Sequence, residues 1–360
     1  MKRSSSMDQT VQEGTAWLEA QGSSGSDDDH EGLVHCSSFG KKNKPPKPDP
    51  LITQLRRACR DNDLGTVAKI LDKHPKLVSA IGLRDDDYGK RESPPLVIAA
   101  GKGNAQIVKL LLERGAPVND QRVNDGGTAL YIAAQNDHLE TVRTLIQAGA
   151  DVNLKRTINS ASPLWIACSH GNLGVVDLLL KHGADPNASK GSTDCVIHEA
   201  CRFGNKPIVE LLIKAGVNLK DREPAIAAAG KGHVEILTML LDAGVNVNKE
   251  RPEDGGDALY IASQQGFMDV IKTLLDKGAN VNHIRSKNHG TALYVASHHG
   301  LADVVRLLLS HGADPNIGDS IPLVSLCKQG DQVLPIATAL LDAGADVNKA
   351  DSAGNFPILV

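Results

Sequence analysis

Four histidines lie close together in the C-terminal third of the chain, at His283, His289, His298 and His299. Imidazole nitrogens are common zinc ligands, so this group is the best candidate for metal chemistry. His298 and His299 are adjacent, however, and adjacent residues of a helix point to different sides, so a shared ion would need ligands from other loops. We therefore favour a contact surface at these histidines and expect no metal site.

Two glycine–lysine–glycine segments resemble phosphate-binding loops, Gly101-Lys102-Gly103 and Gly230-Lys231-Gly232. A phosphate loop needs Ser or Thr directly after the lysine, and it follows a strand. Both segments lack the hydroxyl residue, and the pattern around them indicates a turn between two helices. We therefore predict no nucleotide site and no cofactor.

The six cysteines are too sparse and too irregularly spaced for a disulfide scaffold. Four of them take the place of small apolar residues in predicted helices, which indicates buried side chains and no nucleophile. These four are Cys59, Cys168, Cys201 and Cys327. No catalytic constellation is present, so we expect a protein that is not an enzyme.

The composition excludes several other classes of function. Of the 360 residues, 41% are hydrophobic and 3% aromatic, and the formal net charge is −4, which argues against a generally basic nucleic-acid-binding protein. The chain has no apolar run long enough to span a membrane. The N-terminal residues MKRSSSMDQT lack the apolar core of a secretion signal. We expect a cytoplasmic location, with the nucleus as the alternative.

Residues 1–50 differ from the rest because they are rich in Ser, Gly, Asp, Lys and Pro. Such a segment buries too little apolar surface to offset its chain entropy, which predicts a disordered tail. Within it, Lys41-Lys42-Asn43-Lys44 has the form of a nuclear localisation signal, but such short matches are common by chance and we favour a solvated linker.

A repeat of about 33 residues dominates the chain from residue 51 onward. The most regular copies span 127–153, 162–187, 256–282 and 290–316. One apolar helix position recurs at intervals of 28 to 34 residues, at Leu96, Leu130, Leu164, Ile197, Ala225, Leu259, Leu293 and Leu323. A period of this length predicts a stack of small, similar units.

The pattern within each unit predicts two short helices. A side-chain oxygen stands before the first helix, as at Thr128, Ser162, Asp257 and Thr291, and predicts an N-cap. A glycine such as Gly171 ends that helix, and apolar residues at helical spacing form a second one. The cap is missing at Pro94, Cys195, Glu223 and Ile321. Because neither helix can bury its apolar face alone, stacking of the units must close one continuous core.

These motifs resemble the ankyrin repeat: TALY and SPLW stand where that family has T-P-L-H, and GADVN and GADPN match its helix end. The resemblance covers residues 51–350 in about nine units. It implies an all-α repeat solenoid of stacked helix-turn-helix units joined by β-hairpin-like loops. Residues 51–82 form a degenerate first unit whose Arg56, Arg57 and Arg60 are expected to face water. Residues 351–360 form an incomplete final repeat, which indicates a truncated product or an extended cap.

Aromatic residues recur where the family usually has histidine, and only His198 keeps that residue. These rings either pack inside the stack or contact a ligand, and the sequence is compatible with both roles. They are Tyr131, Trp165, Tyr260 and Tyr294.

The resemblance also implies a partner-binding surface, because proteins of this family usually meet partners on the concave side of the stack. Position by position, that surface comprises Lys102, Gln135, Asn136, Ser169, His170, Arg202, Phe203, Gln264, Gln265, His298, His299 and Lys328. Arg202 and Phe203 are the best anchor, because Arg and aromatic residues dominate binding energy.

These observations predict a monomeric, non-enzymatic adaptor or scaffold that binds a protein of unknown identity. No direct nucleic-acid contact and no membrane span are expected. A nuclear regulatory protein and the ankyrin region of a larger truncated enzyme or channel are the alternatives.

Overall fold

The computed structural model describes residues 49–79, 93–122, 124–190, 194–220, 223–326 and 333–357. All of these residues belong to one compact unit, which lies within Lys47–Val360. The predictions of a disordered tail and of a signal at Lys41–Lys44 lie outside the described residues, as do Cys327 and Lys328.

The described residues form helix pairs, with a first and a second helix in each unit. The first helices are α1 (Pro50–Arg60), α3 (Pro95–Gly101), α5 (Ala129–Gln135), α7 (Pro163–His170), α9 (Val196–Arg202), α11 (Pro224–Ala229), α13 (Ala258–Gln265), α15 (Ala292–His298) and α17 (Pro322–Ser325). The second helices are α2 (Leu64–Lys73), α4 (Ala105–Glu113), α6 (Leu139–Gln147), α8 (Leu173–Lys181), α10 (Lys206–Lys214), α12 (Val234–Asp242), α14 (Met268–Asp276), α16 (Ala302–Ser310) and α18 (Val333–Asp342).

Little other regular structure accompanies these helices in the described ranges. A 3₁₀ helix spans Pro75–Ser79 after α2. Strands β1 (Ser189–Lys190) and β2 (Asp194–Cys195) pair antiparallel, with Ser189 opposite Cys195. These two-residue strands belong to one of the loops that join successive units.

Side-chain capping starts the regular first helices, as predicted. Thr128 Oγ1 accepts a hydrogen bond from the Tyr131 amide at 3.0 Å, and Asp257 Oδ1 accepts one from the Tyr260 amide at 2.7 Å. Ser162 and Thr291 act in the same way. The four predicted cap losses are also confirmed, because no side-chain cap bond forms at Pro94, Cys195, Glu223 or Ile321.

The turn between the two helices of a unit requires a left-handed residue. Gly171 has φ of +76°, and Asp137 takes the equivalent place with φ of +58°. Asp is one of the few residues with a side chain that tolerates this region, so the unit keeps its geometry without glycine.

The units stack so that each first helix packs against the first helix of the next unit, from α1 to α17. The second helices form a neighbouring row. Leu130, Leu164 and Ile197, which share one repeat position, are all buried in the resulting core. Helices of this length are marginal alone, and burial of each such side chain contributes about 1.5–3 kcal/mol, so the stack stabilises its own helices.

The first unit departs from the prediction at one arginine. Arg57 and Arg60 are exposed as expected, but the expectation for Arg56 is wrong, because only 4% of its surface is accessible. Arg56 lies one helical turn before the buried Cys59 and therefore shares the buried face of α1 with Leu55 and Cys59. The side chain is covered together with that face.

The residues after α18 form a turn that extends the row of loops. The Asp351 amide donates to Asn355 O at 3.0 Å, and the Ser352 amide donates to Asp319 O of the preceding loop at 3.1 Å. This contact repeats the way in which earlier loops join one another, as the Thr157 amide joins Asp125 O at 3.1 Å.

Candidate protein-interaction surface

The candidate partner-binding residues lie where the first helices end. Because successive first helices pack side by side, their C-terminal ends follow one another along a single edge of the stack. We call the residues at the ends of α3 to α15 the helix-end row; Arg60 and Asp61 take the equivalent places after α1. Its described members are Lys102, Gln135, Asn136, Ser169, His170, Arg202, Phe203, Lys231, Gln264, Gln265, His298 and His299.

Lys231 belongs to this row although the sequence analysis considered it only as part of a phosphate-loop-like segment. It lies one residue beyond the C-cap Gly230 of α11, at the repeat position that Lys102 occupies after α3. The equivalence of Gly230-Lys231 with Gly101-Lys102 in the repeat was the signal that places it there. Lys328 of the predicted set lies outside the described residues.

Side chains from the following unit bind the ends of several first helices. Asn172 Nδ2 donates to Ala134 O at 2.7 Å and to Gln135 O at 3.0 Å. Asn136 Nδ2 donates to Gly101 O at 2.9 Å in the same manner. The last carbonyls of a helix lack partners within the helix. The hydrogen bonds from Asn172 and Asn136 supply partners to these carbonyls and hold neighbouring helix ends in register.

Arg202 and Phe203, the predicted anchor, lie against each other at the end of α9. The Arg202 guanidinium carbon is 4.4 Å from the centre of the Phe203 ring, and Phe203 is 44% exposed. Arg202 Nη2 also donates to Glu199 Oε2 at 2.8 Å, with the two side chains 13% and 3% exposed. The exposed Phe203 ring therefore lies beside the Arg202 guanidinium, which the buried Glu199 carboxylate holds in position.

Glu199 is a residue that the sequence analysis missed. It occupies the repeat position of Ile132 and Ile166, which are buried aliphatic residues. A single acid among the apolar residues of α9 was the available signal. A carboxylate there is tolerable because Arg202, one helical turn later, neutralises it.

The candidate histidines are divided between the helix ends and the loops. His298 stacks on Tyr294 with ring centres 5.9 Å apart, and His299 Nδ1 lies 2.9 Å from Val295 O. His283 Nε2 lies 2.9 Å from Gly255 O. His289 Nδ1 lies 2.8 Å from Asp319 Oδ2 in the next loop. Over the ranges that the structure describes, no three His, Cys, Asp or Glu residues are arranged to hold a metal ion.

Two arginine–aspartate groups tie neighbouring loops together, and we call them the loop clusters. The first consists of Arg122, Asp125, Arg156 and Tyr131, and the second of Arg251, Asp254, Arg285 and Tyr260. In each cluster one aspartate accepts from an arginine of its own loop and from an arginine of the next loop. The sequence contains the signal twice, as R-x-x-D-G-G at residues 122–127 and 251–256.

The carboxylates of the loop clusters remain charged. Burial acts to raise the pKa of Asp125, but the hydrogen bond from the Gly127 amide and the charges of Arg122 and Arg156 outweigh it, so that the pKa lies below its ordinary value. The pKa of Asp254 is lowered in the same way, against its burial, by the Gly256 amide and two arginines.

The recurring aromatic residues serve mainly as packing surfaces inside the stack. Tyr131, Trp165 and Tyr260 are buried. A cation from the following loop covers each ring, at 5.4 Å for Arg156 over Tyr131 and 4.5 Å for Lys190 over Trp165. Such contacts are worth about 0.5–2 kcal/mol each. They favour the structural interpretation of these rings over contact with a ligand.

The described cysteines are buried thiols. Burial raises the pKa of Cys59 to about 12, and it raises the pKa of Cys168 further, with a smaller effect from Glu199. Since the thiolate is the nucleophile, thiols in this state are unreactive near neutral pH.

Across the described part of the chain, no helix is long and apolar enough to cross a membrane.

Comparison with known proteins agrees with the architecture. The chain matches the family described as "Ankyrin repeats (3 copies)" over residues 55–156, 155–223, 197–285 and 225–319. A search of curated proteins found no match. Among solved structures, the chain is similar to the crystal structure of the human ASB11 ankyrin repeat domain, with 29% identity and a TM-score of 0.54. That alignment covers 60% of this chain and 98% of the ASB11 chain. The predicted repeat solenoid is confirmed, and the chain belongs to the ankyrin repeat family.

Proposed function

We propose that this chain is an adaptor or scaffold that binds a partner protein along the helix-end row. Ankyrin repeats are generally protein–protein interaction modules, and the family is typically non-enzymatic. The observation that carries the proposal is the pair of Arg202 and Phe203, an exposed aromatic ring beside a guanidinium held by buried Glu199. Exposed aromatic and arginine side chains in a fixed arrangement are typical anchors of protein interfaces.

The chemistry of the other ionisable groups supports the same function. The carboxylates with lowered pKa in the loop clusters are bound by arginines that join the loops. The buried thiols of Cys59 and Cys168 have raised pKa values. Ionisable groups that are buried or ion-paired in this way stabilise the stack, and the stack in turn supports the helix-end row.

Affinity purification with matched variants tests the proposal. The row variant combines Phe203→Ala with Gln265→Ala. The control combines Leu173→Ala with Gln106→Ala, which removes an exposed apolar side chain and an exposed amide from second helices.

We expect the wild type and the control to recover the same proteins and the row variant to lose them. Truncation of an interface anchor typically weakens binding by about 2 kcal/mol or more, roughly 30-fold. Equal recovery by all three proteins, or recovery of nothing by the wild type, would contradict the proposal.

A further inference from the structure

The helix-end row differs in charge from the rest of the chain. The whole chain carries 39 basic and 43 acidic residues. From α3 to α15 the described row contains Lys102, His170, Arg202, Lys231, His298 and His299 and no Asp or Glu. Carboxylates next to the row are Asp61, which follows Arg60 after α1, Glu199, buried against Arg202, and Asp137 in the turn after α5.

The second helices carry exposed charges of both signs, and several of these charges form ion pairs. Lys206 pairs with Glu235 at 2.7 Å, and Lys277 pairs with Asp242 at 2.6 Å. In the described structure, by contrast, Lys102 and Lys231 have no carboxylate within ion-pair distance. Their positive charges are therefore uncompensated within the stack.

The spacing of these cations suits an extended polypeptide. Packed helices lie about 8–10 Å apart, and an extended chain advances about 3.3 Å per residue. About three residues of an extended partner therefore span the distance between successive units, so every third partner residue meets a unit. The units of α5 and α13 carry no cation in the row, and their Gln135, Asn136, Gln264 and Gln265 offer donors and acceptors to a peptide backbone.

A nucleic acid fits this row less well. Each strand of a duplex carries one phosphate per about 3.4 Å, so one cation or fewer per unit would leave most phosphates without a partner. The net charge of −4 also opposes the approach of a polyanion.

We propose that the helix-end row binds an extended acidic segment of a partner protein, with Asp or Glu at those positions, about three residues apart, that meet the units bearing a cation. This inference rests on the proposed function and adds the chemistry of the partner to it. Lys102 and Lys231 supply charge to the acidic side chains, and the ring of Phe203 lies between them in the row.

Fluorescence anisotropy with defined peptides tests the inference on the full chain. The probe is a labelled peptide of about 18 residues with Glu at every third position and Ser or Thr between, in extended form. The reference peptide has Gln in place of each Glu. Labelled oligouridine serves as the nucleic-acid probe.

The test variant is Lys102→Gln with Lys231→Gln, and the matched control is Lys109→Gln with Lys214→Gln. Lys109 and Lys214 are exposed lysines of second helices without an ion-pair partner in the described structure. Lys214 ends α10, so the control also removes a cation that favours a helix C-terminus. Arg202 is left intact because its removal would leave Glu199 buried without its ion-pair partner.

We expect the Glu peptide to bind more tightly than the Gln peptide and to weaken as salt rises, since the contacts are exposed. The double Lys→Gln variant is expected to weaken Glu-peptide binding roughly 2- to 30-fold, from about 0.2–1 kcal/mol per exposed charge pair. The control variant is expected to bind like the wild type.

Three results would overturn the inference: equal binding of the Glu and Gln peptides, equal weakening in both lysine variants, or tighter binding of oligouridine than of the Glu peptide. Its failure is separable from that of the proposed function. Partner recovery that depends on Phe203, together with no preference for the Glu peptide, refutes the acidic segment and leaves the interaction module standing.

Discussion

The loop cluster around Asp254 supplies the sharpest prediction about stability. Asp254 Oδ1 accepts from the Gly256 amide at 2.9 Å and from Arg251 Nε at 3.1 Å. Its Oδ2 accepts from Arg251 Nη2 at 2.5 Å and also binds Arg285 of the next loop. The substitution Asp254→Ala removes every one of these bonds and leaves two guanidinium groups facing each other.

The magnitude follows from the burial of the arginines. The side chains of Arg251 and Arg285 are 11% and 16% exposed, so water replaces the carboxylate only in part. Loss of one partner from a buried ion pair costs about 3–5 kcal/mol. We expect a loss near the lower limit, about 3 kcal/mol, because both arginines keep some access to solvent.

An exposed pair between neighbouring units is the matched control. Lys277 and Asp242 also join successive units, but their side chains are 42% and 58% exposed. Asp242→Ala removes the same chemical group from a solvated pair, whose contribution is about 0–1 kcal/mol. The free energy of unfolding of each variant is measured by urea denaturation followed by far-ultraviolet circular dichroism.

Hydrogen exchange then locates the change. In a stack, each unit interacts mainly with its neighbours, so loss of protection should concentrate in α13 and α15, which flank the cluster. A cost for Asp254→Ala no greater than that for Asp242→Ala would refute the reasoning, because burial of the cluster would then add nothing.

Three further predictions concern acid, a buried amide and the thiols. The pKa of Asp254 lies below its ordinary value of 3.8. The ionised carboxylate therefore contributes fully to the free energy of unfolding above pH 3.8, and this contribution is lost as the pH falls through the lower pKa of the folded state. Wild-type stability, measured by urea titration, should therefore fall more steeply than that of Asp254→Ala below about pH 4. Asn172→Ala should cost about 1–3 kcal/mol in the same assay, since it leaves the carbonyls of Ala134 and Gln135 without their bonds, and a cost below 0.5 kcal/mol would contradict the proposed role of these bonds. Cys59 and Cys168, with raised thiol pKa values, should resist iodoacetamide at pH 8 in the native protein and react after unfolding, as read by peptide mass spectrometry; rapid labelling of the native protein would refute their burial.

The repeat pattern made most of the fold predictable. Capping residues such as Thr128, left-handed turn residues such as Gly171, and apolar residues at helical spacing specify each helix pair locally. Since a unit contacts mainly its neighbours, local rules repeated along the chain suffice to predict the stack. The same register predicts that residues such as Lys102 and Gln135 lie at equivalent helix ends.

The repeat pattern therefore specifies the helix pairs, their order in the stack and the positions of the helix ends. Which side chains meet across units follows from the folded arrangement of the loops and helices. Asp125 binds Arg156 of the next loop, and Arg56 is covered although its neighbours Arg57 and Arg60 are exposed. The repeat fixes where a residue lies within its unit, whereas the contacts of an ion pair or a covered stem depend on how adjacent loops and helices approach each other in space.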